Sequence, residues 1–106
     1  GLFWIPGFLR FLDRRMHQHY EFPGVKELPS TYWKRQMAVT FVDEPEAIDN
    51  RYELGVENLL WSTDFPHPCC NWPNAQAKVA EMFKDMPDEE TDKITWGNGA
   101  RMYGFA

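Results

Sequence analysis

Two short apolar runs, "QMAVTFV" at Gln36–Val42 and "ENLLWS" at Glu57–Ser62, constrain the fold of this chain more than any other feature. The first is β-branched and aromatic, as strands are. The second is continuously apolar rather than alternating, which suits a parallel strand covered on both faces. Between them lies "DEPEAIDNRYELG", Asp43–Gly55, which reads as one helix. Asp43 sits at its N-cap, Pro45 in its first turn and Gly55 at its stop. Ile48, Tyr52 and Val56 fall on one side of that segment. Strand, helix and strand in this order make a parallel crossover unit.

The flanking segments are helical. Ile5, Phe8, Leu9, Leu12 and Met16 recur at helical spacing over 5–16, with Arg10, Asp13, Arg14 and Arg15 on the other face. Phe3 and Trp4 lead into this helix. Residues 20–29 read as a loop, and Ser30 as the cap of a short turn through Lys34. Val79, Met82 and Phe83 predict a helix over 74–84. Asp88 opens another, with Glu89 and Glu90 at the positive end of its dipole. It carries Ile94 and Trp96 and is expected to break near Gly97, before a last turn in "NGARMYG". Trp33, Phe41, Trp61 and Trp96 are the expected core rings. Two parallel strands cannot make an independent α/β domain, because their edges and faces need neighbours. The expectation is therefore a single partial domain over 1–106.

Composition excludes several partners. The net charge is −5 and the basic residues are scattered, so no basic stripe exists for nucleic acid. No apolar run approaches the ~18 residues of a membrane span, and no basic-then-apolar leader opens the chain. Aromatics reach 16%, enough for a core and for a surface that a larger assembly covers. The chain lacks an initiator Met, which is expected of a fragment, a processed chain or a trimmed tag. Cys69 and Cys70 are adjacent and bond to each other only with strain, so reduced thiols and a cytoplasmic setting are expected.

The candidate chemistry lies in "LLWSTDFPH", where a buried strand delivers Asp64 to its end and Pro66 stiffens the adjoining loop. In parallel α/β architectures the carboxyl ends of strands carry the chemistry. A carboxylate there can bind a metal ion or exchange a proton. It can equally cap a turn through its side chain. His67, Cys69 and Cys70 in "HPCC" form a soft-ligand cluster without a second pair at zinc-site spacing, so a loop with incidental thiols remains the plainer reading. His17 and His19 read as surface residues, since alternate positions of a helix face different sides.

"LLWSTDFPHP", followed by "NWPNAQAKVAEMF" and "ITWGNGARMYGF", resembles the carboxyl-terminal part of the metal-dependent amidohydrolase-related family, which includes aminocarboxymuconate-semialdehyde decarboxylase and related aromatic-acid decarboxylases. Trp61, Ser62, Thr63, Asp64, Phe65, Pro66 and His67, then Gly97, Asn98, Arg101, Tyr103 and Gly104, carry the similarity. Ser62 stands where that family usually has Gly, and Phe65 where Tyr is commoner. The opening "FWIPGFLRFLD" resembles the segment after the sixth barrel strand, and "STYWKRQMAVTF" the seventh. The resemblance implies an α/β chain that forms about the last two strands, with their helices, of a TIM-type (β/α)8 barrel.

It also implies that Asp64 touches a divalent metal, commonly zinc, and takes part in proton transfer, with His67 supporting it or orienting the loop. Trp4 would lie near the barrel mouth, lining a pocket or packing in the core, while Asn98 and Arg101 would be structural. The implied activity is hydrolysis or non-oxidative decarboxylation of a small carboxylate-bearing or cyclic substrate. The family's His-x-His pair and its later strand-end histidines have no counterpart in the chain, which is expected to be inactive alone. A rival expectation is a non-catalytic module that self-associates into a homo-oligomer or pairs with a separate amino-terminal chain. An autonomous metal binder using His67, Cys69 and Cys70 is a third.

Overall fold

Val39–Phe41 (β1) and Leu59–Trp61 (β2) form a two-stranded parallel sheet, with Val39 opposite Leu59 and Phe41 opposite Trp61. These elements come from a computed structural model that describes residues 1–18 and 23–105. The ladder extends one step beyond the strands, where the Ser62 amide donates to the Phe41 carbonyl at 2.9 Å. Both strands therefore end at the same edge, as the apolar runs predict. The first strand is shorter than its run, because Gln36 still belongs to the preceding helix.

Around the sheet lie α1 (Trp4–Gln18), α2 (Pro29–Gln36), α3 (Pro45–Asp49), α4 (Arg51–Leu54), α5 (Ala75–Met82), α6 (Asp88–Asp92) and α7 (Asn98–Tyr103). A 3-10 turn at Val56–Asn58 leads into β2, and a π turn at Lys93–Gly97 joins α6 to α7. Leu2, Ile5 and Leu9 from the first segment meet Phe41, Ala47, Leu54, Leu59, Phe83 and Ile94 in one buried cluster. Leu54 and Leu59 are fully enclosed. Burying such a side chain removes its apolar surface from water, worth roughly 1.5–3 kcal/mol each.

Several sequence expectations are corrected. The crossover helix is two short helices broken at Asn50, whose side-chain amide bonds back to the Glu46 carbonyl at 2.8 Å. An Asn that satisfies a carbonyl locally competes with helix continuation. Tyr52 does not share the half-burial of Ile48 and Val56: it is exposed, with its hydroxyl donating to Glu90 and its ring under the Arg51 guanidinium. Ser30 lies inside α2, and its amide donates to Asp13 Oδ1 at 2.9 Å, so α1 supplies the cap. The chain does not break at Gly97: the π turn carries it straight into α7. Trp96 is 65% exposed while Ile94, two residues earlier and so on the opposite helix side, is buried. Of the other expected core rings, Phe41 is buried and Trp33 and Trp61 are half-buried against the core. Trp4 is exposed and tilts against Phe8, lining an apolar groove between α1 and α2.

Two asparagines tie these pieces together. Asn58 Nδ2 faces the carbonyls of Trp33 at 3.3 Å, Lys34 at 2.9 Å and Met37 at 2.6 Å, occupying the unpaired end of α2. Asn98 Nδ2 donates to Val56 and Leu59 carbonyls at 2.8 and 2.9 Å, locking α7 onto the start of β2. Arg101 Nη2 adds a bond to the Glu57 carbonyl at 2.8 Å, so the structural reading of both residues holds. Arg51 is the third tie. Its guanidinium donates to Glu90 at 2.7 Å and to the Ile48 carbonyl at 2.9 Å, joining α4 to α6.

The candidate strand-end site

The loop from Ser62 to Asn74 starts at the carboxyl edge of β2 and is built to hold one residue in an uncommon conformation. Asp64 has φ +58°, the left-handed region, the one non-glycine residue with positive φ among those described. Aspartate tolerates that region better than most residues. Its amide is held by Ser62 Oγ at 3.1 Å, and the Phe65 amide by Thr63 Oγ1 at 3.3 Å. The Asp64 carbonyl accepts from the His67 amide at 2.7 Å, the His67 carbonyl from Cys70 at 3.0 Å, and the Thr63 carbonyl from Asn71 at 3.2 Å. Both hydroxyl residues next to the candidate carboxylate thus shape the turn. That role was not read from the sequence, although Ser-Thr-Asp is a turn-forming string.

Asp64 Oδ2 lies 3.4 Å from His67 Nδ1, with the side chains 55% and 58% exposed. The same His67 nitrogen faces the Cys69 amide at 3.3 Å. One nitrogen cannot accept from Cys69 and donate to Asp64 at once. With Nδ1 bare the ring accepts from Cys69; with a hydrogen on Nδ1 it donates to Asp64. Beside this pair, Phe65 and Trp72 stand exposed with ring centroids 5.5 Å apart, edge to face. Trp61, the last residue of β2, donates Nε1–H to the Val42 carbonyl at 2.9 Å and so pins the two strand ends together.

The donor set fits one ligand position of a metal centre. The Asp64 carboxylate is accessible and held at the strand edge, but no group of three His, Cys, Asp or Glu side chains gathers among the described residues. A catalytic zinc takes three protein ligands and an open position. Cys69 and Cys70 are free thiols, Cys69 exposed and Cys70 partly covered, and they do not complete such a set with His67. The His17 side chain and His19 lie outside the described residues.

An accessible carboxylate near the shared carboxyl edge of parallel strands lies where parallel α/β folds carry their sites. The chain belongs to the amidohydrolase family, whose model matches residues 1–105. No curated protein matches it. Among solved structures it is similar to 5-carboxyvanillate decarboxylase from Sphingomonas paucimobilis, with 26% identity, a TM-score of 0.79, and coverage of 97% of this chain and 31% of that one. A dihydroxybenzoic acid decarboxylase from Polaromonas sp. JS666, solved with manganese and the inhibitor 2-nitroresorcinol, shares 22% identity at a TM-score of 0.72, covering 95% and 31%. A 2,6-dihydroxybenzoate decarboxylase complexed with 2,6-dihydroxybenzoate shares 21% at 0.72, covering 95% and 32%. The chain thus spans about a third of the length of the barrels it matches. Its fold is the carboxyl-terminal portion of a TIM-type barrel, with two of the strands and their helices.

Proposed function

We propose that this chain is the carboxyl-terminal portion, a single partial domain over 1–106, of a metal-dependent enzyme that removes carbon dioxide non-oxidatively from, or hydrolyses, a small carboxylate-bearing or cyclic substrate. The observation that carries the reading is Asp64, held at φ +58° with an accessible carboxylate at the end of β2 in a chain of this family. Decarboxylation is favoured over hydrolysis by the similarity to the 5-carboxyvanillate decarboxylase. A divalent metal bound there supplies Lewis-acid polarisation of a carboxylate, carbonyl or water oxygen.

This chain's own part is narrower. Asp64 holds one ligand position, and its second oxygen is available to take up or return a proton at the substrate. His67, 3.4 Å away, orients that carboxylate and can exchange a proton with it. Zinc is the metal the family resemblance implies, and manganese is bound in the Polaromonas relative. With one ligand of the usual three, the chain alone is inactive. In the barrel completed with the portion it lacks, Asp64→Ala abolishes turnover and metal retention. Unchanged turnover in that variant would sink the assignment.

The rival reading is a non-catalytic module that self-associates or pairs with a separate amino-terminal chain. It is favoured by exposed Phe3, Trp4, Phe8 and Phe11 on and before α1. Light scattering on the isolated chain decides whether this surface associates: a stable monomer removes the homo-oligomeric version.

A further inference from the structure

The loop that presents Asp64 also carries a chemical group for which neither reading has a use, the adjacent thiols of Cys69 and Cys70. We propose that they form a two-thiol oxidation site that peroxide converts reversibly to a vicinal disulfide. Cys69 would react first and Cys70 would resolve it. The assignment stands on three observations. Both thiols are free; Cys69 is exposed while Cys70 is partly covered; and the peptide between them is held from one side by His67. Oxidation by a dissolved peroxide follows thiolate access, and a neighbouring thiol intercepts the first product before further oxidation.

The chemistry balances. The Cys69 thiol releases its proton, the thiolate attacks one peroxide oxygen, the O–O bond breaks, and the departing hydroxide takes up a proton to leave as water beside a sulfenic acid. Cys70, on giving up its proton, attacks Cys69 Sγ, the S–O bond breaks, and the departing hydroxide takes up that proton and leaves as a second water. Two sulfurs give up two electrons, and one peroxide is reduced to two waters. A bridge between adjacent residues is strained, so reductants open it easily. It acts as a reversible device rather than a staple.

The consequence is local. The Cys70 amide donates to the His67 carbonyl at 3.0 Å, and the Cys69 amide faces His67 Nδ1 at 3.3 Å. Closing the ring re-aims the peptide that carries the Cys70 amide and shifts the residue that carries the other. Oxidation therefore loosens the His67 ring beside Asp64. The oxidation itself is measurable with neither metal nor activity.

The chain is treated with limiting N-ethylmaleimide, and separately with hydrogen peroxide followed by alkylation, and the tryptic peptide Tyr52–Lys78, which holds both cysteines, is weighed and fragmented between Cys69 and Cys70 by tandem mass spectrometry. The expected results are alkylation of Cys69 before Cys70, and a peroxide product about 2 Da lighter with no alkylatable thiol, restored by dithiothreitol. Chain unfolded in urea should lose the Cys69-first order. Cys70→Ser should trap a dimedone adduct on Cys69 that the unaltered chain does not accumulate. Disulfide-linked dimers as the main product, or an over-oxidised Cys69 beside a Cys70 that still alkylates, would overturn the proposal. So would equal alkylation of both thiols in the folded chain, a readout that stands even if the Cys70 variant fails to fold.

Discussion

At Asp64 the backbone and the carboxylate can be tested apart. A β-branched residue at φ +58° is strained, so Asp64→Val should destabilise the chain by roughly 1–3 kcal/mol. Asn tolerates the left-handed region, so Asp64→Asn should cost clearly less. Urea unfolding of the two variants checks this, and equal losses would mean that the conformation is not what matters at this position. Gly55 makes the same point about glycine. Its φ is +96°, and an added Cβ would stand 2.2 Å from Asn58 Oδ1. Gly55→Ala should therefore destabilise by more than the ~1 kcal/mol that such a change can gain at compatible sites, and the same melts should show it.

The string "STDFPH" announced a strand-end carboxylate, but not that Ser62 and Thr63 would each accept a backbone amide to set it. Side-chain rotamers in a turn are chosen by local hydrogen bonds that composition does not encode.

Among the elements, the crossover unit was the most legible part, because period and apolarity follow directly from burial. Its interior was not legible. Asn50 divides the helix, and Arg51 then turns to meet Glu90 on a distant segment. The π turn at Lys93–Gly97 was equally hidden, since no residue in that stretch signals it.

The Arg51–Glu90 tie carries a pH signature. The hydrogen bond from Arg51, with a smaller one from the Tyr52 hydroxyl, holds the Glu90 carboxyl below its ordinary range. The same bond raises the guanidinium further. A carboxyl depressed in the folded chain adds stability above its unfolded value and loses it as pH falls through the folded one. Glu90→Gln should therefore lower the melting temperature near neutral pH, and the gap should close under acid conditions below the usual carboxylate range. A gap that stays constant with pH would remove the tie from the account. Asn98, buried against two carbonyls, is independent of pH: Asn98→Ala should cost about 1–3 kcal/mol through the acceptors it abandons.

Over the whole molecule, two strands and a ring of short helices leave faces for which the chain itself has no cover. Phe3, Trp4, Phe8, Phe11, Trp96, Tyr103 and Phe105 are all exposed. That is more aromatic surface than a small domain ordinarily leaves in water. In the solved barrels that it matches, these segments make up about a third of the chain. The site, too, was legible only in part. The sequence could name one candidate carboxylate, Asp64, while among the described residues no further His, Cys, Asp or Glu side chains gather around it to define a metal or a reaction. Among the described residues no helix is long and apolar enough to cross a membrane.

The central claim is that Asp64 is a metal ligand of the completed barrel. The most direct measurement is the divalent-metal content of that protein after gel filtration, by plasma mass spectrometry, for Asp64 and for Asp64→Asn. The account predicts about one ion per chain, and a fall in retained metal of at least the ~10-fold that even supporting residues of metal sites cause. Circular dichroism should show the variant still folded. Equal metal in both proteins would contradict the claim and leave Asp64 as a turn residue at the end of a strand.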